Sequence, residues 1–133
     1  MLERDVAPGI HRIEDAYTNW YLVEGDGALA IVPVPGSPHV VFTPGHTLGP
    51  CALHFPDRNA VIAGDAVVML DPYTAETGPK IVAGAATADS KRALESLDAL
   101  ADTGATTVLT GHGEAWRGGT VEAVARARRA GAS

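Results

Sequence analysis

Three short apolar runs that each stop at a glycine and then present a polar side chain constrain this chain more than any other feature. Val40-Val41-Phe42-Thr43-Pro44-Gly45-His46, Val61-Ile62-Ala63-Gly64-Asp65 and Thr107-Val108-Leu109-Thr110-Gly111-His112-Gly113 all read as strands that end in a tight loop. β-Branched residues suit a pleated, buried strand. Glycine then lets the backbone turn sharply or approach a neighbour closely where the strand stops, which is expected of Gly45, Gly64, Gly111 and Gly113. Delivering His46, Asp65 and His112 at three strand ends requires a sheet that carries those ends to one edge.

The remaining segments supply the sheets and their cover. Gly9 to Glu14, Trp20 to Glu24 and Ala28 to Val32 read as strands, the last two joined through Gly25-Asp26-Gly27, a hairpin signal. Pro33, Pro35 and Pro38 forbid a regular element and mark the one internal boundary, with a deletion expected near 32–36. His39 to Thr43, Cys51 to Phe55 and Ala60 to Ala63 form a second sheet, with a turn at Pro56-Asp57-Arg58-Asn59. Residues 66–86 show no clean period and read as a long loop beside a site. A helix is expected over 88–102, with Ala93, Leu94, Leu97, Leu100 and Ala101 on one face, Thr87 or Asp89 as cap and Gly104 just past its end. Thr120 should cap a last helix over 120–130, with Val121, Val124 and Ala125 as a thin apolar stripe and an arginine-rich end that offsets the helix dipole. The 133 residues fit a single domain, 1–133.

Composition narrows the partners. Sixteen acidic against ten basic residues leave a net charge of −6, which argues against a nucleic-acid backbone or an anionic membrane. Cys51 is alone, so no intrachain disulfide forms, and no apolar run approaches the roughly 18 residues of a membrane span, so a cytoplasmic location is expected. Cys51 itself should be a small buried residue, while His11, His39 and His54 read as sheet-face or surface histidines. Without Gly-x-Ser-x-Gly or Gly-x-x-x-x-Gly-Lys, serine-hydrolase and P-loop chemistry drop out. Tyr73 and Trp116 stand beside the strand-end loops and are candidate pocket walls.

Imidazole and carboxylate together suit zinc, iron or manganese, and catalytic sites of that type hold the ion through three protein groups and leave a place for water. His46, Asp65 and His112 are such a set. The alternative is that they are ordinary turn residues bonded to their own backbone.

In chain order, Thr43-Pro44-Gly45-His46-Thr47-Leu48-Gly49, then Leu53-His54-Phe55-Pro56 with Ala63-Gly64-Asp65, then Thr110-Gly111-His112-Gly113 resemble the third, fourth and fifth motifs of the metallo-β-lactamase superfamily. Gly9-Ile10-His11-Arg12-Ile13 and Asn19-Trp20-Tyr21-Leu22-Val23 resemble its first hairpin strands. The resemblance implies an α+β fold, a truncated αββα sandwich of two mostly antiparallel sheets with a metal site at one edge. It also implies a metal-activated water that attacks an ester, thioester, lactam or phosphoester. His46 resembles the last histidine of the first metal site, Asp65 the bridging carboxylate and catalytic candidate, and His112 the histidine of the second site.

The chain departs from that pattern at one place that matters. The His-x-His-x-Asp-His signature, which supplies most of the first metal site, is absent, and Ala28–Val32 meets Pro33 instead. Pro50 is a lesser departure. The expectation is an impaired, zinc-type hydrolase (iron or manganese possible as the ion) with an incomplete site, weak or absent occupancy, and no outer shell to orient the ligands. Its rival is a non-catalytic remnant or interaction module. The missing stretch would also leave Trp20, Leu22, Leu29 and Ile31 uncovered, so a homodimer is expected to cover them.

Overall fold

The computed structural model describes residues 1–24, 38–47 and 49–132. The strand expected at Ala28–Val32, its Gly25-Asp26-Gly27 turn, the break near 32–36, and Leu29 and Ile31 lie outside these residues. Three strands, β1 (Leu2–Ala7), β2 (Ile10–Asp15) and β3 (Thr18–Val23), form an antiparallel sheet in chain order. β2 and β3 pair from Ile10↔Val23 to Asp15↔Thr18. β1 is unforeseen from its sequence, because Glu3-Arg4-Asp5 carries no strand signal. Pairing with β2 outweighs that poor propensity, and the register shifts between Glu3 and Ala7, as at a β-bulge.

The second sheet has the order β4 (His39–Phe42), β5 (Cys51–Phe55), β6 (Ala60–Gly64), β9 (Thr107–Thr110). A single 3₁₀ turn, Pro56–Arg58, joins β5 to β6. Alternation sorts the side chains of β5, β6 and β9 between two faces. Phe55, Ala60 and Leu109 pack against Val6, Ala7 and Ile10 of the first sheet. Ala52, Val61, Ala63 and Val108 face the other way, onto the helices α1 (Ser90–Ala101) and α2 (Thr120–Ala130). The described residues therefore make three layers, sheet, sheet and helices. Trp20 and Leu22, on the outward side of the first sheet, remain 63% and 54% exposed.

α1 follows its expected stripe: Ala93, Leu97 and Leu100 are buried, with Leu94 and Ala101 packed at the margin. Asp89 is the cap, accepting from the Arg92 backbone N–H at 2.9 Å. α2 differs from expectation. Its N-cap is Gly119, while Thr120 is buried and turns its hydroxyl to the Ala101 carbonyl. The buried stripe runs through Ala123, Val124 and Ala127, leaving Val121 exposed. Within the expected loop 66–86, β7 (Val68–Leu70) pairs with β8 (Thr77–Lys80) as a small antiparallel hairpin. The fully buried Asp71 organises its turn, accepting from the backbone N–H groups of Tyr73 at 2.8 Å and Ala83 at 2.9 Å.

Candidate metal centre

Strand direction explains why three distant residues meet. β5 runs antiparallel to both β4 and β6, and β6 runs parallel to β9, so β4, β6 and β9 all point the same way. Their C-terminal loops leave from one edge of the sheet and carry His46, Asp65 and His112. The ends of β6 and β9 are tied directly, by the Gly111 N–H donating to the Gly64 carbonyl at 2.9 Å. The His46 loop is docked on the start of α1: the N–H groups of Ala88 and Asp89 donate to the carbonyls of His46 and Gly45. Gly45 has φ 137°, and a Cβ there would lie 2.2 Å from the Ala93 backbone nitrogen, so only glycine permits this approach.

Both imidazoles turn Nε2 toward the Asp65 carboxylate. His46 Nε2 is 3.8 Å from Oδ2, and His112 Nε2 is 3.6 Å from Oδ1. Neither distance is a hydrogen bond. The far side of each ring explains why. His112 Nδ1 lies 2.5 Å from the Tyr17 carbonyl oxygen, which can only accept, so Nδ1 carries a proton, and in the neutral ring Nε2 then bears the lone pair. The Thr87 hydroxyl donates to the Val82 carbonyl at 2.7 Å, so it has only lone pairs to offer His46 Nδ1 at 3.4 Å. His46 Nδ1 is therefore the donor as well. Two lone-pair nitrogens thus face a carboxylate, and Asp65 Oδ1 is buried with no hydrogen-bond partner. A buried, unpartnered carboxylate oxygen is costly, and a cation held between these three groups would remove the cost.

The donor chemistry fits a zinc-type ion. The geometry is incomplete: among the described residues no three or more His, Cys, Asp and Glu side chains already form a cluster that would hold one. His46, Asp65 and His112 come together, while His11, His39 and His54 lie elsewhere, His11 paired with Glu24 and His39 stacked edge-on to His54. One expectation is corrected: outer partners for both imidazoles are present, in Tyr17 and Thr87. Tyr17 gave no sequence signal, and Thr87 was visible only as a possible cap.

A cavity of about 580 Å³ opens over the three groups, walled by Tyr17, Leu70, Pro72, Tyr73 and Val82. Tyr73 takes the expected place, whereas Trp116 does not reach this cavity and instead packs on the core and donates to the Gly119 carbonyl. Cys51 is exposed rather than buried, because it opens β5 opposite Phe42 of β4, itself 53% exposed. None of the ten Lys and Arg side chains lines the cavity.

Beneath the His112 loop lies a polar patch in the first sheet. Arg12, Asn19 and Tyr21 occupy inward positions of β2 and β3 and donate to the backbone of residues 110–113. Arg12 is almost wholly buried and also pairs with Glu3 at 2.9 Å and Glu114 at 2.7 Å. Burial pushes the Tyr21 phenol well above its ordinary range, against the pull of Arg12, so it remains a donor at every working pH. These residues were missed, although polar side chains on the inward positions of an alternating hairpin are a readable signal.

The family described as the metallo-beta-lactamase superfamily matches residues 26–112. A hydroxyacylglutathione hydrolase from Hyphomonas neptunium (strain ATCC 15444) is 44% identical over 69 residues, covering 51% of this chain and 22% of the relative. The crystal structure of a metallo-beta-lactamase family protein from Thermus thermophilus is similar with a TM-score of 0.53 and 28% identity, over 82% of this chain and 34% of that one. That of a beta-lactamase domain protein from Burkholderia ambifaria gives 0.52 and 25%, over 84% and 33%. The chain spans about a fifth of the curated relative and about a third of the solved structures. With its strand-end His46, Asp65 and His112 and this family match across more than half its length, the chain belongs to the metallo-beta-lactamase superfamily.

Proposed function

We propose that the chain is a shortened metallo-hydrolase domain whose His46, Asp65 and His112 hold one zinc-type ion. The observation that carries this reading is the buried, unpartnered Asp65 Oδ1 facing the lone pair of His112 Nε2. When bound, such an ion polarises a carbonyl and makes water a better nucleophile near neutral pH. His46 and His112 bind through Nε2, and their Nδ1–H bonds to Thr87 and Tyr17 keep the rings from rotating away. Asp65 keeps 34% of its side chain exposed although Oδ1 is buried, so Oδ2 is the oxygen open to the cavity and the acceptor for a proton from the attacking water.

The cavity wall selects among substrates. Leu70, Pro72, Val82 and the two tyrosines suit an apolar or aromatic acyl group, and with no Lys or Arg in the wall a polyanion finds no counter-charge. Uncharged esters and lactams fit better than phosphoesters or a glutathione thioester. Hydrolysis of p-nitrophenyl acetate by the zinc-reconstituted protein tests this, with S-lactoylglutathione as comparison. Zinc-dependent ester turnover that disappears in Asp65→Asn is expected. Turnover unchanged by Asp65→Asn, or a preference for the thioester, contradicts the reading.

A second reading, self-association without catalysis, is favoured by Leu2, Trp20 and Leu22, which lie exposed on the outward side of the first sheet. A homodimer through that face would appear in light scattering at micromolar concentration and be lost in Trp20→Lys. A monomeric wild type removes this reading.

A further inference from the structure

We infer that the β2–β3 hairpin is the positioning device for His112: its turn fixes the ring's tautomer, and its inward side chains fix the height of the loop that carries it. This rests on the proposed function of the same site. The turn is two residues long, and both Ala16 (φ 49°) and Tyr17 (φ 65°) occupy the left-handed region that asparagine and glycine favour. Neither residue has a local reason to accept that conformation, and such strain persists where the surroundings use it. What the turn delivers is the Tyr17 carbonyl, aimed at His112 Nδ1. The Tyr17 side chain itself is 71% exposed, so packing of the ring does not explain the backbone.

The same hairpin saturates the His112 loop. The Thr110 carbonyl accepts from Asn19 Nδ2 at 2.9 Å and Tyr21 Oη at 2.7 Å. The Gly111 carbonyl accepts from the Asn19 N–H at 2.7 Å. The Gly113 carbonyl accepts from Arg12 Nη1 at 2.7 Å and Asn19 Nδ2 at 2.6 Å. The His112 carbonyl, on the other side, accepts from Thr110 Oγ1 and from the N–H groups of Met69 and Leu70. Each carbonyl from Thr110 to Gly113 is therefore held, most of them by β3, and the histidine sits on a loop with little freedom to rise or fall. Arg12, Asn19, Tyr21 and the Tyr17 carbonyl are positioning groups; none of them touches the ion's place directly.

The test reads the metal-free protein by ¹⁵N–¹H correlation of the histidine rings at alkaline pH, where a free imidazole is neutral. Wild type should show His112 in the Nδ1–H form. A single glycine inserted between Ala16 and Tyr17 lengthens an exposed turn and relocates the carbonyl; His112 should then become a tautomer mixture, and zinc affinity, read by indicator competition, should fall roughly 10- to 100-fold. Asn19→Ala should weaken zinc by a similar factor, with Asn19→Gln recovering part of it. If Asn19→Ala does not fold, the insertion variant carries the test. An Nε2–H wild type, or an insertion variant whose tautomer is unchanged, overturns the inference. Failure of wild type to bind zinc would instead sink the proposed function, and the tautomer readings would still decide whether the hairpin sets the ring.

Discussion

Replacing Gly111 by alanine perturbs the site through one atom. A Cβ at Gly111 would lie 2.0 Å from Asp65 Oδ1, and real Cβ contacts essentially never fall below 3.0 Å, so the carboxylate must retreat by about 1 Å. Gly111 is not among the residues with positive φ, so alanine fits its backbone, and the N–H to Gly64 and carbonyl to Asn19 survive. Asp65 has room to move, because its side chain is 34% exposed. Metal–ligand distances tolerate only about 0.2 Å, so a 1 Å retreat costs the ion one of its three protein donors. Zinc affinity should fall at least about 10- to 100-fold, the range seen for losing even an outer partner, while unfolding free energy changes by less than about 1 kcal/mol. Gly49→Ala, where an added Cβ meets nothing within 4 Å, is the matched control. Indicator competition for zinc and urea denaturation of the metal-free proteins supply both numbers. Gly111→Ala binding zinc like wild type would refute the assignment of Oδ1, and a large loss of stability would show that the methyl disrupts the fold instead.

Other outcomes follow from the same geometry. Exchanging the turn to Ala16→Asn with Tyr17→Gly should raise the unfolding free energy by about 1 kcal/mol or more in a denaturant melt, because it removes left-handed strain from two ordinary residues; unchanged stability would mean the turn is not strained. Asp71 is drawn down from its ordinary pKa: burial pushes it up, but backbone N–H groups of Tyr73, Ala83 and Thr74, with Lys80, pull it further down. A depressed folded pKa contributes stability above the ordinary carboxylate range and loses it as pH falls through the folded value. Asp71→Asn should therefore lower the denaturation midpoint at neutral pH and converge on wild type in acid, whereas a gap that persists in acid points to a packing defect.

How much of this was legible in the sequence follows a physical line. The strand-glycine-ligand pattern marked β4, β6 and β9, and their shared direction turned that pattern into one edge holding His46, Asp65 and His112. α1 was readable because its apolar residues recur at helical spacing on a capped segment. β1 was not, because Glu3-Arg4-Asp5 is a strand only by virtue of its partner β2. Nor was β8, Thr77-Gly78-Pro79-Lys80, whose Gly-Pro pair argues against a strand and which is held by its pairing with β7. The outer partners of the imidazoles were invisible for a different reason. Tyr17 contributes a backbone carbonyl from a turn whose residues break the usual turn chemistry, and no side-chain pattern encodes that.

Isothermal titration of zinc into the metal-free wild type, beside His46→Ala, Asp65→Asn and His112→Ala, tests the centre most directly. One saturable equivalent, weakened or lost in all three variants while each stays folded, is the expected result. No saturable binding by the wild type, or binding that survives all three substitutions, would contradict it.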